Sequence, residues 1–442
     1  MATESRTFQQ VAVSLPEVNA SVRISASTIG WRRLLGFLGP GFLISVGYMD
    51  PGNWATDIAG GSRFGYKLLF VIMLSNLMAI LLQSLSLKLG VATERDLAQL
   101  CHEEFGRKAS FALWVAAEIA IAACDLAEVI GSAIALNLLF HIPLFYGVLI
   151  TGVDVLLILL LQRWGFRYIE ALVIALIATI IAMFGIQMFL SQPNYGSALQ
   201  GLLIPSTDII SNPRMLYIAI GILGATVMPH NLYLHSSIVQ SRRYERTPKG
   251  KREAIFMANV DSGIALTVAL FVNASILIVA AAVFHTRGLF EIAAIEDAYK
   301  MLSPLVGATF ASTLFAVALL ASGQNSSITG TLAGQVVMEG FIHIKLAQWK
   351  RRMITRTLAI VPTILVVAAM GSRGTEKLLI LSQVILSLQL SFAVVPLVMF
   401  TGKRKYMGEF VNGPWLQRLA WVTAFVIASL NGWLLIQTMM GS

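Results

Sequence analysis

Residues 47–53 read Gly-Tyr-Met-Asp-Pro-Gly-Asn and stand in the middle of an apolar run over residues 37–60. A second stretch, Gly-Ala-Thr-Val-Met-Pro-His at 224–230, interrupts another apolar run over 215–240. A helix needs about 20 mostly apolar residues to cross roughly 30 Å of hydrocarbon, so both runs are long enough to span a membrane. Proline removes a backbone donor and clashes with the preceding turn, and glycine adds backbone freedom. Both helices are therefore expected to unwind locally and release carbonyl oxygens. Asp-Pro-Gly-Asn is elsewhere a surface turn; at the centre of a spanning run it reads as a break. Unpaired carbonyls persist at that depth only where protein, water or an ion satisfies them.

The rest of the chain agrees with a membrane reading. Of its 442 residues 57% are hydrophobic and 12% charged, with a mean hydropathy of +0.75, whereas soluble domains carry about 25% charged residues. This excludes an ordinary water-soluble globule. Eleven runs qualify as spans: 37–60, 68–90, 110–139, 144–162, 168–191, 215–240, 255–284, 303–333, 353–371, 376–401 and 415–437. Their length and uniformity argue for helices rather than the short alternating strands of a membrane barrel.

If residues 1–33 form a cytoplasmic tail, 25 of the 32 Lys and Arg fall inside and seven outside. Arg242, Arg243, Arg246, Lys249, Lys251 and Arg252 make the largest inner cluster, and the loop at 192–213 has none. This asymmetry predicts a multi-pass cell-membrane protein with its N-terminus cytoplasmic and its C-terminus outside. It also explains the net charge of +9 without a nucleic-acid partner, since the basic residues punctuate spans instead of forming a patch. Residues 1–30 lack a basic segment followed by an apolar core, so a mobile tail is expected and no cleaved signal. Cys101 and Cys124 form neither a disulfide framework nor a thiolate metal motif.

Eleven spans divide as five, five and one, and an odd number per half makes the halves run in opposite senses. The predicted fold is an all-α polytopic membrane protein with a first inverted repeat over 34–191 and an extracellular loop over 192–213. A second repeat over 214–402 and an inner loop with the last helix over 403–442 complete it. The first helix of each repeat is broken at matching places, which is where transporters of this architecture hold their substrate.

A carboxylate at the centre of a membrane helix costs about 2.5 to 3.5 kcal/mol on insertion scales, so Asp50 needs a partner. A cation is the economical one. Asp50 offers a charged oxygen, Asn53 an amide oxygen, Met228 a thioether, and the breaks offer carbonyls near Gly47 and Ala225. Calcium and magnesium prefer all-oxygen shells, whereas transition metals tolerate or favour sulfur. The mixture points to manganese or iron as cargo, and no cofactor is called for.

Span three carries Glu118, Asp125 and Glu128 near one helical face. This acidic stripe fits a proton or ion route, or a structural network with arginines. His230 and His235 are five residues apart, which does not place them on one face. Asp261 is a further polar position with no visible partner. No zinc-protease motif and no serine or cysteine constellation supports an intramembrane enzyme.

GYMDPGN at 47–53, GATVMPHNLYLHS at 224–236 and GQNSSITGTLAGQVVMEGF at 323–341 together strongly resemble the Nramp family of divalent-metal transporters. The resemblance implies a leucine-transporter-type fold with helices one and six broken. It implies proton-coupled uptake of manganese and ferrous iron, with cadmium and cobalt often accepted, by a single chain in the lipid bilayer. By the same resemblance Asp50, Asn53 and Met228 are the side-chain ligands, joined by the Ala225 carbonyl in the inward-open state. Gln383 is expected to approach the metal in occluded states, with Gln389 a weaker alternative. Asp50, Asp125, Glu128 and His230 are assigned to the proton path; Arg351, Arg352 and Arg356 are left equal as its inner end. Many members have Ala where this chain has Gly47, and Pro where it has Ser391. The competing expectation is an organic-solute symporter on the same fold, with an amino-acid carboxylate between the breaks. Asp50 argues against it, because an acid repels an anionic ligand.

Overall fold

The computed structural model describes residues 14–16, 18–24, 31–152, 165–292, 294–306, 310–344, 346, 348–370 and 372–440. After a short α1 (Trp31–Phe37), the first broken helix comprises α2 (Pro40–Ser45), one 3-10 turn at Gly47–Met49, and α3 (Pro51–Phe64). Then come α4 (Leu69–Thr93), α5 (Leu97–Phe140), helical residues 144–152 (α6) and α7 (Phe166–Ser191). The remainder of span four, 153–162, lies outside the described residues.

The segment expected as a loop holds two short helices, α8 (Tyr195–Leu203) and α9 (Asp208–Ser211). The second broken helix is α10 (Pro213–Thr226) and α11 (Pro229–Ile238). It is followed by α12 (Pro248–Val283), α13 (Ile295–Val306), α14 (Ala311–Ile342), α15 (Gln348–Met370), α16 (Ser372–Thr401), α17 (Arg404–Met407) and α18 (Pro414–Met440).

Local chemistry sets these limits. Proline occupies the first turn of α2, α3, α10, α11 and α12, where its missing donor costs nothing and its φ suits the helix. Asp96 and Gln99 close a reciprocal capping box at the start of α5, each bond 2.9 Å long. Asp261 on α12 finds its partners here: its carboxylate accepts from the Gly39 and Gly41 amides, the latter at 2.7 Å, and so caps α2. Beside it the buried Arg242 pairs with Glu170 of α7 at 2.7 Å and donates to the Leu38 carbonyl.

Among the described residues eight helical stretches are long and apolar enough to cross a membrane, so this is a multi-pass membrane protein. Two expectations need correction. Span eight is expected over 303–333, but residues 303–306 belong to α13 and α14 runs to Ile342. The apolar run continues through Leu305 and Val306, so hydropathy alone hides the division. Asn325, Ser326, Ser327 and Thr329 make α14 too polar to face lipid, and it packs instead against α5 and α7.

The second concerns the described part of the tail, which is docked where a mobile segment is expected. Of its described part, Leu15, Val18 and Val22 are buried in the main core, and Val22–Arg23 (β1) pairs in parallel with Arg242–Arg243 (β2). The apolar side chains every three or four residues dock it.

Candidate metal site

Asp50 (φ −69°, ψ 165°) and Met228 (φ −74°, ψ 123°) both have extended backbone. Each directly precedes a proline, whose ring disfavours helical backbone in the residue before it. Counting back four residues gives the groups that Pro51 and Pro229 cannot bond: the carbonyls of Gly47 and Ala225. One rule therefore frees one carbonyl in each half of the molecule, at the two positions the sequence singled out.

Neighbouring carbonyls of the first break are held by protein. The Tyr48 carbonyl accepts from the Asn53 and Asn273 side-chain amides, both at 2.7 Å. That of Met49 accepts from the Trp54 indole at 3.2 Å and from the Ser322 hydroxyl. Asp50 caps α3, its Oδ1 accepting from the Asn53 amide at 2.9 Å. These bonds orient two further atoms. Asp50 Oδ2 and Asn53 Oδ1 are buried with no hydrogen-bond partner in the protein, a costly state for a carboxylate oxygen unless an electropositive group meets it. Asp50, Asn53, Ala225 and Met228 are all buried.

Met228 comes to this place from the other break. A Cβ built on Gly47 would stand 3.1 Å from its sulfur, and on its remaining sides it packs with Ala120, Cys124 and Leu386. Gln383 of α16 lies between the two breaks. A Cβ on Gly52 would stand 1.7 Å from its Nε2, and one on Gly224 would stand 2.2 Å from its carbonyl oxygen. The Gln383 side-chain nitrogen donates to the Ser382 hydroxyl at 3.0 Å, and its Oε1 has no protein partner. Gln389 of the same helix is also buried, and neither polar atom of its side chain has a hydrogen-bond partner among the described residues.

The seat of Gln383 on Gly52 went unnoticed in the sequence. Its signal was a glycine in the first turn of a helix that does not need one for its backbone. Asp57, also unnoticed, is buried one heptad on and lies within electrostatic reach of Asp50.

The acidic stripe has basic partners on α15. Glu118 pairs with Arg351 at 2.9 Å, and Glu128 with Arg356 at 3.4 Å, while Arg356 also donates to the Ser327 hydroxyl. The side chain of Arg352 lies outside the described residues. Asp125 and Glu128 converge on α14, since a Cβ on Gly330 would stand 3.2 and 3.1 Å from their oxygens. The buried His230 ring, neither nitrogen of which has a protein partner, lies within electrostatic reach of Asp125. His235 is engaged elsewhere: its Nδ1 meets Gln83 Oε1 at 2.8 Å, and Gln83 donates to the Tyr48 hydroxyl at 2.8 Å. Among the described residues no three His, Cys, Asp or Glu side chains gather where they could hold a metal. A metal between the breaks would depend on amide, thioether and carbonyl donors beside the single carboxylate.

A family profile described as "Natural resistance-associated macrophage protein-like" matches residues 41–437. The divalent metal cation transporter MntH of Nostoc sp. is 61% identical over 428 residues, 97% of each chain. The structure is similar to that of a mutant of the Eremococcus coleocola manganese transporter, with 44% identity and a TM-score of 0.89 over 95% of this chain and 90% of that one. A nucleobase-cation-symport-1 family transporter shares the fold at 15% identity, with a TM-score of 0.61 over 93% of both chains.

Proposed function

This chain belongs to the Nramp family, and from that premise we propose that it holds a divalent transition-metal ion between its two broken helices and imports it by alternating access. It is a transporter of divalent metal ions and not an enzyme. Manganese and ferrous iron are the principal cargo, with cadmium and cobalt accepted. The observation that carries the reading is that Asp50 Oδ2 and Asn53 Oδ1 of the first break are buried without a hydrogen-bond partner, while the Met228 thioether of the second break stands beside Gly47 of the first. A hard carboxylate fixes the charge, and the sulfur favours a transition metal over calcium or magnesium. The Gly47 and Ala225 carbonyls and the Gln383 amide are the remaining donors. The relatives bearing the names divalent metal cation transporter and manganese transporter support the same substrate class.

A proton travels with the metal from Asp50 and His230 to Asp125 and Glu128, and leaves through Arg356 toward the cytoplasm. The N-terminus is cytoplasmic, the C-terminus outside, and one chain suffices. Each charge gains about 2.3 kcal/mol per 100 mV of membrane potential, so a divalent ion gains about 4.6 kcal/mol, enough for more than thousandfold accumulation. Protons are thus not required thermodynamically at moderate gradients, and the proton-to-metal ratio varies with voltage.

The test is manganese uptake into proteoliposomes under excess calcium, with luminal pH recorded, for the native chain and Asp50→Ala. Uptake that resists calcium, acidifies the lumen and disappears in the variant supports the reading. Uptake that survives in Asp50→Ala, or none in the native chain, contradicts it.

A further inference from the structure

The docked tail ties together elements that the transport cycle has to separate. At one end the Leu15 amide donates to Glu339 Oε2 of α14 at 3.0 Å, where α14 meets the start of α5: a Cβ on the next residue, Gly340, would stand 3.0 Å from Asp96 Oδ1. At the other end the Ala20 amide donates to the Gln240 carbonyl at 3.0 Å, and Val22 and Arg23 pair with Arg242 and Arg243, just past α11. The tail therefore runs from the α5–α14 pair to the end of the second broken helix. Leu15 and Ala20 adopt left-handed backbone, each with a φ of +52°. Non-glycine residues keep that conformation only where their surroundings hold it, as burial of Leu15 at 1% exposure does here.

The same face is closed beneath the tail. The Leu97 amide of α5 donates to the Ser236 hydroxyl of α11 at 2.9 Å, and the Tyr233 ring of α11 meets Phe341 of α14 edge-on at 5.5 Å. Opening this face moves α11 away from α5 and α14 and pulls the two anchor points of the tail apart. We propose that the described tail residues, 14–16 and 18–24, form a releasable strap that holds this face shut, so that release of cargo waits on its lifting. The strap rests on the alternating-access reading above, as the regulation of that same site.

The test uses the full chain in proteoliposomes with manganese as the transported ion. Leu15→Asp combined with Val18→Asp places two acids where the strap is buried and is expected to raise initial uptake about threefold or more, by shifting one closed–open equilibrium. A chain lacking residues 1–24 needs no buried acid. It is expected to behave alike and to be slowed again by a synthetic peptide of residues 14–24 supplied at the strap face.

A second readout is independent of transport. Cys124, buried beside Met228, is expected to react faster in both variants with an impermeant maleimide applied at that face. Variants that match or fall below the native chain in both rate and labelling overturn the strap and leave the metal reading standing. If no protein, native included, takes up manganese, the metal reading fails, and the labelling comparison alone decides the strap.

Discussion

The two broken helices begin from the same rule and end with different chemistry. In each, a proline strips the donor from a carbonyl four residues back and forces the preceding residue out of the helix. The first break then surrounds itself with hydrogen bonds: Asp50 caps its own helix, and Asn53, Asn273, Trp54 and Ser322 fasten the adjacent carbonyls. No such framework is seen at the second break among the described residues. α10 continues to Thr226, α11 starts at Pro229, and Met228 caps nothing with its side chain. Backbone geometry is thus the shared part, and the residue before each proline is the variable one. A rigid, charged, hard donor faces a soft, neutral donor packed among apolar side chains. On the proposed function their labour divides accordingly: the first break supplies affinity for a divalent charge, the second supplies choice among divalent ions.

Exchanging or deleting the two donors attacks that division directly. Asp50→Ala is expected to have the largest effect, a loss of manganese uptake by about a hundredfold or more, as for removal of a buried charge from its partner; flux assays that find less than a tenfold loss break the comparison. Gly52→Ala comes next. Its Cβ would collide with the Gln383 amide, so uptake should fall about tenfold, a difference of about 1.4 kcal/mol. Combining it with Gln383→Ala should recover packing, read as thermal stability, without recovering uptake. If Gly52→Ala transports normally, Gln383 does not belong beside the first break.

Met228→Ala should lower manganese affinity less than it lowers discrimination against calcium, since the hard ion never used the sulfur. Competition uptake with unchanged selectivity would remove Met228 from the donors and leave the second break with only a carbonyl. The smallest effect is expected for Asn273→Ala. It leaves the Tyr48 carbonyl with one donor instead of two, and should lower stability in denaturant titration by about 1 kcal/mol while keeping ion selectivity. A change in selectivity would mean that the framework of the first break, and not the donors alone, chooses the ion.

Both breaks, and three of the candidate donors, were legible because their causes are local. A proline inside an apolar run, the acid or thioether before it and the amide three residues later can all be read within seven positions. Gln383 was reached only through family resemblance, and its seat on Gly52 joins positions more than 300 residues apart. Asn273 and Ser322 were illegible for the same reason, as amides and hydroxyls in apolar helices carry no sign of which carbonyl they will meet.

The partners of Glu118 and Glu128 lay within the basic cluster of α15, but only packing could assign Arg351 to one and Arg356 to the other. The boundary between α13 and α14 fell inside a continuous apolar run. The docking of the described tail residues was illegible because Leu15, Val18 and Val22 are too few to read as a buried face until the surface that covers them is known.

One ion touching both breaks at once would carry a mixed shell, and X-ray absorption at the cadmium edge on the loaded protein reads that shell, because sulfur and oxygen neighbours scatter differently. The expected shell is dominated by oxygen with a single sulfur, the sulfur vanishing in Met228→Ala while the oxygens remain. A shell of oxygen alone in the native protein, or a sulfur that survives Met228→Ala, would contradict it.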